Sequence, residues 1–203
     1  MIGIIDYGLS NIRSVACALK KIEVEYKVID NNKSIRDFSG YILPGVGAYN
    51  EAMKNIKSKG IDDAIKKEIL INKKKILGIC LGMQLLTEWS EENKMTRGLG
   101  LIKGSVQKIK QNKKFALPHI GWNKTEILSK SKIFQDLPSS LYLYYVHSFC
   151  VHVSDKNYIL AKTNYGVSIN SIISNHENIF GIQPHPEKSQ FYGLNILRNF
   201  CSL

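Results

Sequence analysis

Lys75-Ile76-Leu77-Gly78-Ile79-Cys80-Leu81-Gly82-Met83-Gln84 begins as a strand and ends as a helix. Residues 75–79 are a short apolar run behind a basic stretch, the pattern of a buried strand. Residues 81–89 place Leu85, Leu86 and Trp89 on one side of a predicted helix. Cys80 stands at the junction, between Gly78 and Gly82 in a G-x-C-x-G pattern. Small neighbours let a chain turn sharply there and present the middle side chain, as in a nucleophile elbow. The start of a helix also favours negative charge, which suits a thiolate nucleophile. A lone cysteine in a β-α unit is more often a buried structural residue, so Cys80 needs partners.

A second segment, His185-Pro186-Glu187, supplies them. Residues 179–183 form a predicted strand ending at Pro184, which puts His185 at a strand-to-loop junction, and Pro186 stiffens the link to Glu187. A histidine can take a thiol proton, and a carboxylate can fix its tautomer and stabilise the imidazolium. Cys80, His185 and Glu187 are thus nucleophile, base and orienter, the set for covalent acyl transfer. Cys80, His147 and His185 are conceivable metal ligands, but the chain lacks a close-spaced ligand pair, and no metal is expected.

Outward from this pair, the first half alternates strand and helix. Strands are predicted at 3–6, 25–29 and 41–43. Ser10 is the expected cap of a helix to about residue 21, with Ile12, Val15, Ala16 and Leu19 on its apolar side. Helices follow at 49–58 and 61–72. This alternation implies an α/β fold with a mostly parallel, doubly wound sheet whose sites lie at the carboxyl ends of the strands. Pro44-Gly45-Val46-Gly47 ends one such strand, and it is either a simple turn or a set of backbone N–H groups aimed at a developing oxyanion. The second half carries extra strands, at 101–109, 124–128, 141–147, 158–163 and 169–174. A closing helix is expected at 189–200, with Phe191, Leu194, Leu197 and Phe200 buried.

At 203 residues, 44% of them hydrophobic, the chain suits one domain, residues 1–203, with a sizeable core. It has neither a membrane-length apolar stretch nor a signal-like start. Cys17, Cys80, Cys150 and Cys201 are scattered, which points to free thiols and a cytoplasmic location. The net charge of +11 raises nucleic acid as a partner, but the lysines are dispersed in pairs and triplets such as Lys20-Lys21, Lys66-Lys67, Lys73-Lys74-Lys75 and Lys113-Lys114. Solvated faces explain them better, so neither nucleic acid nor membrane is an expected partner.

Together these residues resemble the class I, triad-type glutamine amidotransferases, and among them the glutaminase-subunit family of imidazole glycerol phosphate synthase. The resemblance runs nearly end to end. It covers Asp6-Tyr7-Gly8 with Asn11-Ile12-Arg13-Ser14-Val15, Leu43-Pro44-Gly45-Val46-Gly47-Ala48, the Cys80 elbow and Arg97-Gly98-Leu99-Gly100-Leu101-Ile102. Pro118-His119-Ile120-Gly121-Trp122-Asn123, Tyr144-Tyr145-Val146-His147-Ser148 and His185-Pro186-Glu187-Lys188-Ser189 complete it. It implies a flavodoxin-like domain that hydrolyses glutamine through a Cys80 thioester, with His185 as base then acid and Glu187 orienting it. Backbone N–H groups of Leu81 and of Gly45, Val46 and Gly47 would hold the oxyanion. Gln84, Gly47, His147 and Ser148 would contact glutamine. Ammonia would pass to a (β/α)₈-barrel cyclase subunit in a heterodimer, with Trp122, Asn123 and Lys188 at the interface, in histidine biosynthesis. No cofactor is implied.

The chain departs from the family in having Pro184 where an aromatic residue is usual, and Phe149 where tyrosine is usual. These departures keep open a paralogue that serves another acceptor, such as a sugar amidinated in surface-glycan synthesis. A non-catalytic scaffold subunit is a third reading, disfavoured by the intact Cys-His-Glu set.

Overall fold

The computed structural model describes residues 1–35, 38–110 and 115–203. The first half delivers strands β1 (Ile2–Ile5), β2 (Tyr26–Ile29), β3 (Gly40–Gly45) and β4 (Lys75–Cys80) with helices α1 (Ile12–Lys21), α2 (Tyr49–Ser58), α3 (Ile61–Lys66) and α4 (Leu81–Leu85). The second half adds β5 (Trp89–Ser90), β6 (Thr96–Arg97), β7 (Gly104–Lys108), β8 (His119–Ile127), β9 (Ser140–His147), β10 (Phe149–Val153), β11 (Ile159–Asn164), β12 (Ser168–Ser174), β13 (Ile179–Ile182) and the closing helix α5 (Gln190–Ser202). The predicted pair Lys113-Lys114 lies outside the described residues.

The larger sheet runs β2-β1-β3-β4-β13-β12-β11-β8-β9. Its first five strands are parallel, in the doubly wound order of flavodoxin-like folds. From β12 onward the pairing is antiparallel, so the sheet is mixed. A smaller sheet, β10-β7-β5-β6, packs beside it. The parallel strands are apolar on both faces because both are covered. Ile4, Ile42, Leu77 and Ile79 meet α1 and α5 on one side, and Ile5, Tyr41, Leu43 and Ile76 meet α2, α3 and α4 on the other.

Local chemistry corrects four expectations. Asn11, not Ser10, caps α1, its side chain accepting the Ser14 N–H, while Ser10 turns to the Asp6 carboxylate. The predicted helix 81–89 stops at Leu85. The carbonyls of Leu85, Leu86, Thr87 and Glu88 instead accept N–H groups from residues 98–102. The helix expected at 61–72 finishes as a π-helical turn, Lys67–Ile71. In α5, Phe191 is 69% exposed, and the buried face is Gly193, Ile196, Leu197 and Phe200, spaced i, i+3, i+4, i+7. Gly193 sets that rotation, since a Cβ there would strike the Pro186 carbonyl. Burying Ile196, Leu197 and Phe200 stabilises the docked helix by roughly 1.5–3 kcal/mol each.

Candidate active site

Cys80 sits at the carboxyl end of β4, paired with Gly45 of β3. Its φ of 54° and ψ of −110° lie in a region that side-chain-bearing residues rarely occupy. Strain of this kind persists only where surrounding packing imposes it. The flanking glycines allow the approach: a Cβ at Gly82 would run into the Leu43 carbonyl, and one at Gly78 into the Gly82 carbonyl. Leu81 is the first residue of α4, so its N–H has no acceptor within the helix.

His185 follows β13 and is fixed from three sides. Its N–H donates to the Tyr144 carbonyl at 2.8 Å, its carbonyl accepts the Ser189 hydroxyl at 2.6 Å, and its Nδ1 meets Glu187 Oε1 at 2.8 Å. Both side chains are almost fully buried. Burial pushes the imidazole toward its neutral form, but Cys80 and Glu187 outweigh it and raise the pKa to about 10. Among the described residues Nε2 and Glu187 Oε2 are buried without a nitrogen or oxygen partner, which leaves Nε2 to Cys80 and to a reacting group.

Cys80 and His185 face one cavity of about 320 Å³, bordered also by Val46, Gly47, Leu81, Gln84, Glu92, His147 and Ser148. That is the lower end of the range for small-ligand sites. Of the glycine-rich strand end, Gly45 lies behind the cavity wall against Tyr7 and Leu81. The Val46 N–H donates to the Leu9 carbonyl at 2.9 Å, so in this structure it does not point at the cavity as an oxyanion donor. Gly47, at φ 96°, has open space where a Cβ would be.

A second histidine pair backs the cavity. His147 Nδ1 meets the Phe149 carbonyl at 2.8 Å, and a carbonyl only accepts, so Nδ1 carries the proton. Its Nε2 therefore accepts from His119 Nδ1 at 3.0 Å, and His119 Nε2 accepts from Asn123 Nδ2 at 3.2 Å. His119 is also stacked between Tyr145 and Tyr165. Burial lowers both pKa values, to about 3 for His147 and about 4 for His119.

The segment with the expected partner contacts alternates along β8. Trp122 and Ile120 are exposed on the outer face, with Tyr142 of β9 beside them. Trp122 packs edge-on to Tyr144, and Lys188 Nζ lies 5.6 Å from the centre of the same ring. Asn123 points the other way, its amide committed to His119 and the Asn164 carbonyl.

The sequence reading missed two groups. Glu92 is the carboxylate among the described cavity-lining residues. It accepts the Tyr49 N–H at 2.9 Å, and burial raises its pKa. Its only signal was an acidic pair in a loop. Gln183 is fully buried beside Cys80 and had no signal at all.

The family model "Glutamine amidotransferase class-I" matches residues 3–202. The chain is 42% identical over 203 residues, covering 100% of both chains, to imidazole glycerol phosphate synthase subunit HisH 1 of Campylobacter jejuni subsp. jejuni. It is 44% identical over 200 residues to imidazole glycerol phosphate synthase subunit HisH of Listeria monocytogenes, covering 98% of this chain and 94% of that one. The fold is similar to the structure of PurLQS from Thermotoga maritima, with a TM-score of 0.76 at 19% identity, over 99% of this chain and 97% of that one.

Proposed function

The chain belongs to the class-I glutamine amidotransferases, and from that premise we propose that it hydrolyses glutamine at Cys80 and hands the ammonia to a (β/α)₈-barrel cyclase subunit in histidine biosynthesis. The observation that carries this reading is Cys80 and His185 facing one cavity, with Glu187 behind the imidazole. Full-length relatives at 42% and 44% identity, both named as HisH subunits, favour this pathway over a sugar acceptor.

The Cys80 thiolate attacks the side-chain amide carbon of glutamine, and the N–H of Leu81 faces the oxyanion, with Val46 and Gly47 bordering it. The His185 imidazolium gives its Nε2 proton to the departing nitrogen, so ammonia leaves and a glutamyl thioester remains. Now neutral, His185 takes a proton from water, and hydroxide attack releases glutamate and regenerates the thiolate. Glu187 holds the Nδ1 proton throughout. Gln84, Ser148 and His147 border the substrate, and the Glu92 carboxylate suits its α-ammonium.

The exposed aromatic face of Trp122 and Tyr142, with Lys188 beside Tyr144, is the proposed cyclase contact. Asn123 supports that face from behind. Among the described residues no helix is long and apolar enough to cross a membrane. The test is glutamate release by the purified chain alone and mixed with its host's cyclase subunit plus the cyclase's ribonucleotide ligand. A large rise in the mixture is expected. No rise, from folded protein whose Cys80 still labels, would move the assignment to a different acceptor.

A further inference from the structure

Besides His185, the described residues give Cys80 Sγ two polar neighbours with opposite demands. The Val146 carbonyl, at 3.9 Å, can only accept, so it favours a protonated thiol. The Gln183 side-chain amide, at 3.7 Å, favours a thiolate if its nitrogen faces the sulfur and opposes one if its oxygen does. Nitrogen and oxygen of an amide are easily exchanged in assignment, so the network must decide which faces the sulfur.

It decides without ambiguity. The Phe149 carbonyl accepts from Gln84 at 3.1 Å, so the Gln84 atom there is Nε2. The same nitrogen lies 3.2 Å from the Gln183 side chain, whose facing atom must then be the acceptor Oε1. Gln183 Nε2 is left pointing at Cys80 Sγ. His147 closes the arrangement from the other side, since its Nδ1–H takes the second lone pair of the Phe149 carbonyl. Gln183 is fully buried, and its N–H donates to the Ser171 carbonyl at 2.8 Å, so both its backbone and its side chain are held. The register that pairs Ile182 with Ile79 places it beside the nucleophile.

We propose that Gln183 is a further catalytic residue of this site: its amide donates a hydrogen bond to Cys80 Sγ and holds the sulfur as a thiolate, its orientation dictated by the Phe149 carbonyl through Gln84. The inference rests on Cys80 being the glutaminase nucleophile. It adds a second donor to the sulfur beside His185. A hydrogen bond to a charged group outweighs one to a neutral group, so the donor acts on the charged form.

The experiment compares alkylation of Cys80 by iodoacetamide in the wild type, Gln183→Met and Gln183→Glu. Sites are mapped by mass spectrometry and folding is checked by circular dichroism. Gln183→Met keeps the length and loses the donor. Its Cys80 is expected to react about tenfold more slowly at pH 7, with the gap to the wild type narrowing as the pH is raised. Gln183→Glu keeps the bond from Gln84 but turns a carboxylate oxygen toward the sulfur, so it is expected to be slower than Gln183→Met at pH 7. This near-isosteric variant decides the matter if Gln183→Met does not fold. Equal rates at pH 7 in a folded variant would overturn the proposal. A packing role alone would leave the pH dependence of alkylation unchanged. The wild type is first titrated with a glutamine-mimicking electrophile: failure to label Cys80 there refutes the glutaminase site itself, whereas labelling followed by equal variant rates refutes only the role of Gln183.

Discussion

His185 and His147 are both buried and both line the cavity around Cys80, yet they are held in opposite charge states. Burial lowers the pKa of each, and the partners decide the charge. His185 faces a carboxylate at 2.8 Å and the nucleophile, and its pKa rises to about 10. His147 faces a carbonyl and another imidazole, and its pKa falls to about 3. A proton carrier needs a charged neighbour that titrates with it, whereas a scaffold histidine needs neutral partners that fix its tautomer. The two sit on the two architectures of the larger sheet: His185 follows the last parallel strand, while His147 ends an antiparallel one.

Removing the proposed nucleophile that His185 faces breaks the contrast most completely. Cys80→Ala is expected to reduce glutamate release to background while circular dichroism and cyclase binding stay unchanged. Turnover near the wild-type rate would contradict the assignment. Next in size is Glu187→Gln, which keeps a hydrogen-bond partner for Nδ1 but removes its charge. A fall in kcat of about 10³-fold, smaller than that of Cys80→Ala, is expected in steady-state assays.

The neutral pair is probed by acid. His119 and His147 have folded pKa values of about 4 and about 3, below the ordinary 6.5. Between those values and 6.5 the unfolded chain binds more protons, so stability is full above pH 6.5 and is lost as pH falls toward 4. His119→Gln removes one of these groups. Its loss of unfolding free energy between pH 7 and pH 5, read from urea midpoints, should be smaller than the wild-type loss by about 2 kcal/mol. Equal losses would mean that His119 is not held neutral. The smallest expected effect is that of Pro184→Phe. The His185 N–H is anchored to the Tyr144 carbonyl whatever precedes it, so kcat should change by less than about twofold. A large loss would show that Pro184 positions His185.

The charged half of the site was legible in the sequence because its chemistry is local. Gly78, Cys80 and Gly82 form the elbow, and His185 and Glu187 stand two residues apart. The parallel strands were legible for the same reason, each being a short apolar run buried on both faces. The neutral half was not, because antiparallel register between distant segments creates it. Pairing His119 with His147 depends on where β8 begins, five residues earlier than expected, and nothing near His119 announces that start. Strand β10, which carries the Phe149 carbonyl into the site, alternates too weakly to be read at all. Glu92 reaches the cavity, and Gln183 the sulfur of Cys80, only through the folded positions of a loop and a strand end. The early stop of α4 is likewise non-local, imposed by N–H groups from residues 98–102.

The most direct measurement treats the folded protein with a glutamine-mimicking electrophile and maps the adduct among Cys17, Cys80, Cys150 and Cys201 by mass spectrometry, with and without excess glutamine. One label per chain on Cys80, suppressed by glutamine, is the expected result. Labelling of another cysteine, or of Cys80 without protection by glutamine, would contradict a glutaminase site built on Cys80, His185 and Glu187.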